Sequence, residues 1–221
     1  MPRGNPGRVR VIAGVNGAGK SSVLGAAVRA RGGQYYNPDE FTLSLLSRGL
    51  QADPAGANSL AWQMGREGLE RAIAERGEWT FETTLGGTTI TSLLQKAAKA
   101  GLEVHLLYVG LRSPALHVAR VKARVAAGGH DIPEATIRER YDASRRNLVR
   151  LLPHLASLRV FDNSVTADPA AGVAPQPLLV LAMEGGAAIW TCALEQVPNW
   201  ARPIVSAALR LQGTATDAGP A

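Results

Sequence analysis

Gly14-Val15-Asn16-Gly17-Ala18-Gly19-Lys20-Ser21 matches the pattern G-x-x-x-x-G-K-[ST] at every position. Such a run demands a strand before it and a helix after it, because the chemistry needs both. The glycines let the backbone curl so that successive N–H groups face a phosphate. Gly14, Asn16, Gly17, Ala18 and Gly19 are the expected loop contacts. The helix that opens near Gly19 adds the positive end of its dipole. Lys20 reaches the β- and γ-phosphates, and the Ser21 hydroxyl is placed for Mg²⁺. Ser22 adjoins this nucleotide-binding run and reads by itself as a neutral helix residue. The flanks fit. Arg8–Gly14 is a β-branched run ending in glycine, and Val23, Ala26, Ala27 and Ala30 share one side of a helix. The implied ligand is a nucleoside triphosphate with Mg²⁺.

The rest of the chain alternates in the same way. Short apolar strands are expected at Gln34–Tyr36, Trp79–Glu82, Glu103–Gly110 and Leu158–Phe161. Helices are expected from Asn37-Pro38, from Asp53-Pro54 to Glu75, over Thr91–Ala100, from Ser113-Pro114 to Ala127, and from Pro133 to Leu152. Strands and helices in alternation predict parallel βαβ units with helices on both faces. The expected fold class is α/β, a three-layer sandwich with a five-stranded parallel core in order 2-3-1-4-5 and a helical lid. Residues 1–165 form that core, with the lid at 112–150. Residues 166–212 start as a loop, then carry a hairpin (Leu178–Ala182, Ala187–Cys192) and a helix (Trp200–Leu211), packed on the same domain. Residues 213–221 read as a flexible tail.

In a parallel sheet, ligands gather at the carboxyl ends of the strands. Two carboxylates sit there. Asp39 follows the second strand in Asn37-Pro38-Asp39-Glu40. Asn37 and Glu40 can make a capping box, leaving the Asp39 side chain free. Asp39 then favours the helix dipole, serves an acceptor hydroxyl as general base or as a Mg²⁺-linked carboxylate, or does both at once. Glu82 ends the third strand before Thr83, Thr84, Leu85, Gly86 and Gly87. A buried carboxylate there needs a partner, which points to acceptor binding or to a Mg²⁺-bound water. Thr83 and Thr84 are read with it as substrate-binding candidates.

The net charge is +6, and 20 of the 24 basic residues are Arg. Residues 112–150 hold nine Lys/Arg against four Asp/Glu, most of that surplus. They include Arg120, Lys122, Arg124, Arg138, Arg140, Arg145 and Arg146, around the break Gly128-Gly129-His130. Two basic helices about a glycine hinge suit closure over a triphosphate, with guanidinium forks on phosphate oxygens. Arg124 and Arg140, which flank the hinge, are the expected phosphate contacts. Asp162-Asn163-Ser164 after the fifth strand reads either as a loop near adenine or as a plain turn.

Other classes are disfavoured. One cysteine, Cys192, excludes a disulfide framework. No apolar run reaches the roughly 18 residues of a membrane span. Met1–Arg10 lacks the apolar stretch of a secretory signal, so a cytoplasmic location is expected. With 11 aromatic residues and no cluster of them, stacking on nucleic acid is disfavoured.

These motifs together resemble the zeta-toxin family of P-loop kinases, in its compact bacterial branch. The resemblance rests on residues 13–22, Asn37–Glu40, Phe81–Leu85, Arg120–Pro133, Ile137–Leu148 and Phe161–Ser164, in that order and spacing. It implies an ATP-dependent phosphotransferase acting on a small acceptor. Characterised zeta toxins phosphorylate a hydroxyl of UDP-N-acetylglucosamine, which makes a nucleotide sugar the implied acceptor and an antitoxin protein an implied partner. It also implies Asp39 as base, and Lys20, Arg124 and Arg140 as catalytic cations. The larger toxins carry an arginine where this chain has Gly86-Gly87. The alternatives are a kinase for another acceptor, such as an antibiotic or a polynucleotide end, and a nucleotide-dependent switch.

Overall fold

The computed structural model describes residues 6–129, 131–165 and 176–217, with side chains described up to 212. β1 (Arg8–Ala13), β2 (Glu78–Thr83), β3 (Glu103–Gly110) and β4 (Ser157–Asp162) pair in parallel in the order β2-β1-β3-β4. β5 (Leu178–Glu184) and β6 (Ala187–Thr191) add an antiparallel hairpin beside β4, making six strands. The parallel part joins strands through α1 (Ala26–Ala30), α2 (Pro38–Ser47), α3 (Pro54–Glu75), α4 (Thr88–Lys99), α5 (Pro114–Ala126) and α6 (Glu134–Leu151). α7 (Arg202–Asp217) follows the hairpin. Among the described residues no helix is long and apolar enough to cross a membrane.

Helix starts follow local chemistry. Asn37, Asp53 and Ser113 each cap a helix through a side-chain oxygen that accepts from the backbone, and each is followed by proline at the first helical position. That pairing satisfies orphan N–H groups and presets φ for the first turn. The main core lies on one face of the sheet. Val9, Val11, Val104, Leu106, Leu158 and Val160 meet Leu69 of α3, Leu94 of α4, Leu148 of α6 and Ile204 of α7. On the other face Ile12 and Val109 pack against Leu24, in the π-helical turn Lys20–Gly25 that leads into α1.

Three expectations are corrected. Gln34–Tyr36 is not a full strand: only Tyr36 bridges, in parallel, to Phe81. The Tyr36 N–H donates to Thr80 O and the Glu82 N–H to Tyr36 O, so a single residue keeps the expected edge position beside β2. The sheet therefore has four parallel ladder strands, extended on its far side by the hairpin. α4 begins at Thr88, before the expected Thr91, and α7 runs to Asp217, past the expected Leu211. His130, most of the 166–177 loop and residues 218–221 lie outside the described residues.

Candidate active site

The loop between β1 and the helical turn at Lys20 takes the form its glycines allow. Gly14 has φ 142° and Gly19 φ 93°. A Cβ at Gly14 would lie 2.2 Å from Val109 O, and one at Gly19 2.5 Å from Asn163 Nδ2. Neither position tolerates a side chain. Lys20 is buried, with Nζ 3.5 Å from Val15 O and 3.5 Å from Glu82 Oε1. The Ser21 hydroxyl donates to Glu82 Oε2 at 2.8 Å. Asn37 Nδ2 lies 3.5 Å from the same oxygen, while Asn37 Oδ1 accepts from the backbone N–H groups of Asp39 and Glu40. One asparagine thus caps α2 and steadies the carboxylate at the end of β2. Glu40 does not close the capping box: it accepts from Arg29 Nη2 at 2.6 Å.

Two clefts open at the carboxyl ends of the parallel strands. The first, of about 510 Å³, is lined by the phosphate loop, Ser21, Ser22, Arg120, Arg124 and Asn163. The second, of about 520 Å³, is lined by the β2–α4 turn, α3, the start of α6 and Arg140. Asn16, Lys20, Asp39 and Glu82 line both. Thr83 and Thr84 face the second cleft, and their hydroxyl oxygens accept from Leu85 N and Gly86 N. Leu85 takes a left-handed φ of 54°, a conformation that costs a non-glycine residue about 1–3 kcal/mol and persists only where neighbours hold it. Here Asn147 of α6 donates to Leu85 O at 2.9 Å and to Gly87 O at 3.1 Å, and Ser144 Oγ to Thr84 O at 2.7 Å.

Those contacts seat the second helix of the expected lid segment against the β2–α4 turn. α6 is anchored along its length to the β2–α4 turn and the core, burying Ile137, Tyr141, Ser144, Asn147 and Leu148. α5 packs Val118 and Val121 against Val15 and Ile137. The basic residues then divide. Arg124 Nη1 lies 3.6 Å from Asp39 Oδ2, at the mouth of the first cleft. Arg140 Nη1 donates to Asn16 Oδ1 at 2.8 Å; burial lowers its pKa while the Asp39 charge opposes that shift, and an arginine stays cationic regardless. Arg138 pairs with Glu134 on the surface of α6, and Arg146 is exposed. Arg145 lies over the Tyr141 ring at 4.1 Å and donates to Trp200 O, so it joins α6 to the segment before α7.

Two lining or supporting residues, Arg120 and His117, escape the sequence reading as site residues, and a third, Asn163, belongs to the loop read either as near adenine or as a plain turn. Arg120 lines the first cleft, four residues before Arg124 on the same helix face. Asn163 donates to Ala18 O at 2.8 Å, while Asp162 accepts from Trp200 Nε1 and from Ser164 N, so that loop is both a turn and a wall of the cleft. His117, buried on α5, lies 2.8 Å from Asn16 O through Nδ1. A carbonyl only accepts, so Nδ1 carries the proton. Burial pushes this imidazole down to about 4, against the opposing pull of that hydrogen bond.

No family model matches the chain. A Haemophilus influenzae protein, itself uncharacterized, is 30% identical over 133 residues, 58% of this chain and 88% of that protein. The chain belongs to that protein's family. Among solved structures, the AvrRxo1-ORF1:AvrRxo1-ORF2 complex with ATP contains a chain of TM-score 0.62 and 19% identity, covering 93% of this chain and 64% of that one. The native form of the complex gives 0.61 and 19%, covering 87% and 62%. This family member thus spans less than two thirds of these two solved chains. At such identity the likeness is one of fold. That fold is a mostly parallel α/β sheet with the phosphate loop after β1.

Proposed function

We propose that the chain is an ATP-dependent kinase that transfers the γ-phosphoryl group to a hydroxyl of a small acceptor. The observation that carries this reading is the pair of clefts meeting at Asn16, Lys20, Asp39 and Glu82. One cleft is walled by a phosphate loop and two arginines, the other by hydroxyls and a carboxylate. A group at the boundary touches both contents. Phosphoryl transfer needs positioning and charge neutralisation more than covalent chemistry, and this arrangement supplies both. The loop amides and Lys20 hold the triphosphate, and Arg124 and Arg120 meet its outer oxygens. Asp39 takes the acceptor proton as its oxygen attacks phosphorus in line with the departing ADP. Arg140, held by Asn16, faces the charge that develops between the clefts. Thr83 and Thr84 orient the acceptor.

Ser21 and Glu82 fit a Mg²⁺ ion. They are hard oxygen donors 2.8 Å apart, and Mg²⁺ binds through few protein oxygens while keeping waters and phosphate ligands. When bound it would neutralise charge on the β- and γ-phosphates. Before substrates arrive, Asp39 is paired with Arg124. Phosphate oxygens compete for that guanidinium and leave Asp39 to the acceptor.

The resemblance supports a nucleotide sugar, UDP-N-acetylglucosamine, as the first acceptor to try. The AvrRxo1-ORF1:-ORF2 structures are complexes, which supports a search for a protein partner of antitoxin type. Asp39→Asn tests the reading. Asn37 supplies the cap, so the variant should lose at most about 1 kcal/mol of helix-dipole interaction. ATP affinity should stay within a few-fold while acceptor phosphorylation collapses. Normal transfer by this variant would remove Asp39 as the base; ATP binding without transfer to any acceptor by the wild type would favour a nucleotide-dependent switch.

A further inference from the structure

Trp62 and Arg66 stand on α3 at positions i and i+4, so their side chains are neighbours. Both line the second cleft. The helix buries Ala57, Ala61, Gly65 and Leu69, and Trp62 and Arg66 lie one position beyond two of these, at the edge of the buried stripe. The approach is close: a Cβ on Gly65 would lie 3.0 Å from the Tyr36 ring. Trp62 leaves 48% of its surface exposed. The Arg66 guanidinium carbon sits 5.7 Å from the Trp62 ring centroid. Glu70 holds it through Nη1 at 3.2 Å. Its Nε, however, is buried and has no hydrogen-bond partner among the described residues.

A surface cation–π pair would explain the contact between these two side chains. It does not explain a buried donor without an acceptor beside an open indole. Buried donors are nearly always satisfied, and a guanidinium cannot shed its proton to escape the cost. An arginine presents its N–H groups as a fork that matches two oxygens of a phosphate or carboxylate. An exposed indole offers a flat apolar face for a ring. The two together read a ring that carries an anionic oxygen group.

We infer that Trp62 and Arg66 form a specificity subsite of the second cleft, which binds an acceptor through a flat ring and an adjoining phosphate or carboxylate. This rests on the reading of that cleft as the acceptor cleft. The reacting hydroxyl goes to Asp39; the subsite holds another part of the same molecule.

The test is calorimetry on the full chain without ATP, using paired probes: uridine 5′-monophosphate against uridine, and glucuronate against glucose. The expected result is that at least one anionic probe binds tenfold or more tightly than its neutral partner. Trp62→Ala and Arg66→Gln should each weaken that probe by about tenfold, the scale of a charge-assisted hydrogen bond. Trp62→Phe should restore most of the loss. Arg66→Lys, which keeps the charge and the Glu70 pairing but not the fork, should not. Arg120→Ala, which alters the lining of the first cleft and not of the second, should leave probe binding unchanged. Preference for the nucleotide identifies phosphate, and preference for glucuronate identifies carboxylate. Equal binding of charged and neutral partners, binding indifferent to both α3 substitutions, binding lost in Arg120→Ala alone, or no binding by any probe would each overturn the subsite. Transfer is assayed separately. Probe binding that depends on Trp62 and Arg66, in a chain without phosphoryl transfer, would sink the kinase reading and leave the subsite standing.

Discussion

Replacing Glu82 by glutamine separates the charge of that residue from its shape. The amide oxygen can still accept from the Ser21 hydroxyl, now bonded at 2.8 Å. The charge opposite Lys20 is gone. Both side chains are nearly enclosed, at 7% and 6% exposure, and 3.5 Å apart. At an effective dielectric constant of about 20, unit charges at that distance attract by roughly 5 kcal/mol. Breaking a buried pair by removing one partner costs about 3–5 kcal/mol, because the other charge stays buried. Only Val15 O, also 3.5 Å away, would remain near the ammonium group. The free protein should therefore lose about 3 kcal/mol, a fall in Tm of roughly 10 °C for a domain of this size. With Mg²⁺ and ATP at saturation the gap should shrink, since phosphate oxygens give Lys20 a new partner. Thermal melts of wild type and Glu82→Gln, each with and without nucleotide, make the measurement. An unchanged Tm in the free protein would refute the buried pair. A gap of equal size in both conditions would refute the claim that Lys20 meets the phosphates.

His117 gives a pH prediction. Its folded pKa, about 4, lies below the ordinary 6.5, so the unfolded chain binds the proton first. Its contribution is complete above about pH 6.5 and is lost as the pH falls toward 4, by roughly 3 kcal/mol. His117→Gln keeps a donor for Asn16 O but does not titrate, and denaturant melts at pH 7 and 4.5 should show a shallower loss; equal losses would refute the assignment. Arg124→Ala should raise the KM for ATP and lower kcat about tenfold or more; unchanged kinetics would make Arg124 a surface residue. A Cβ at Gly86 would lie 2.7 Å from Arg140 Cγ. Gly86→Ala should thus mimic Arg140→Ala, with kcat down about tenfold and nucleotide affinity within a few-fold; full activity would show that Arg140 has no role in transfer.

Much of this architecture is legible because its signals are local. The phosphate loop is contiguous, and the cap-and-proline pairs at Asn37, Asp53 and Ser113 each announce a helix within two residues. Asp39 and Glu82 could be picked out because strand ends collect at one edge of a parallel sheet. What escapes depends on direction or on distant partners. Tyr36 makes one bridge because Gly32-Gly33 on one side and the Asn37 cap on the other leave no length for a ladder. Arg120 is invisible to an argument from symmetry about Gly128-Gly129, whereas the helical period places it with Arg124. Ser144 and Asn147 look like solvent-facing residues of a charged helix. Their partners are carbonyls of the β2–α4 turn, which lies about 60 residues away along the chain.

The contact between Gly86 and Arg140 also sets a rule for covariation within the family. The backbone of the β2–α4 turn and the stem of Arg140 compete for one small volume, so only one of the two positions can be filled. A homologue that places a large residue at the position of Gly86 must carry a small one at the position of Arg140, or shift the first turns of α6 outward. An arginine at the turn and a glycine or alanine on the helix would deliver a guanidinium to the same place from the opposite side. The double variant Gly86→Arg with Arg140→Gly is the corresponding exchange. If the volume is shared in this way, it should recover more transfer activity than Arg140→Gly alone.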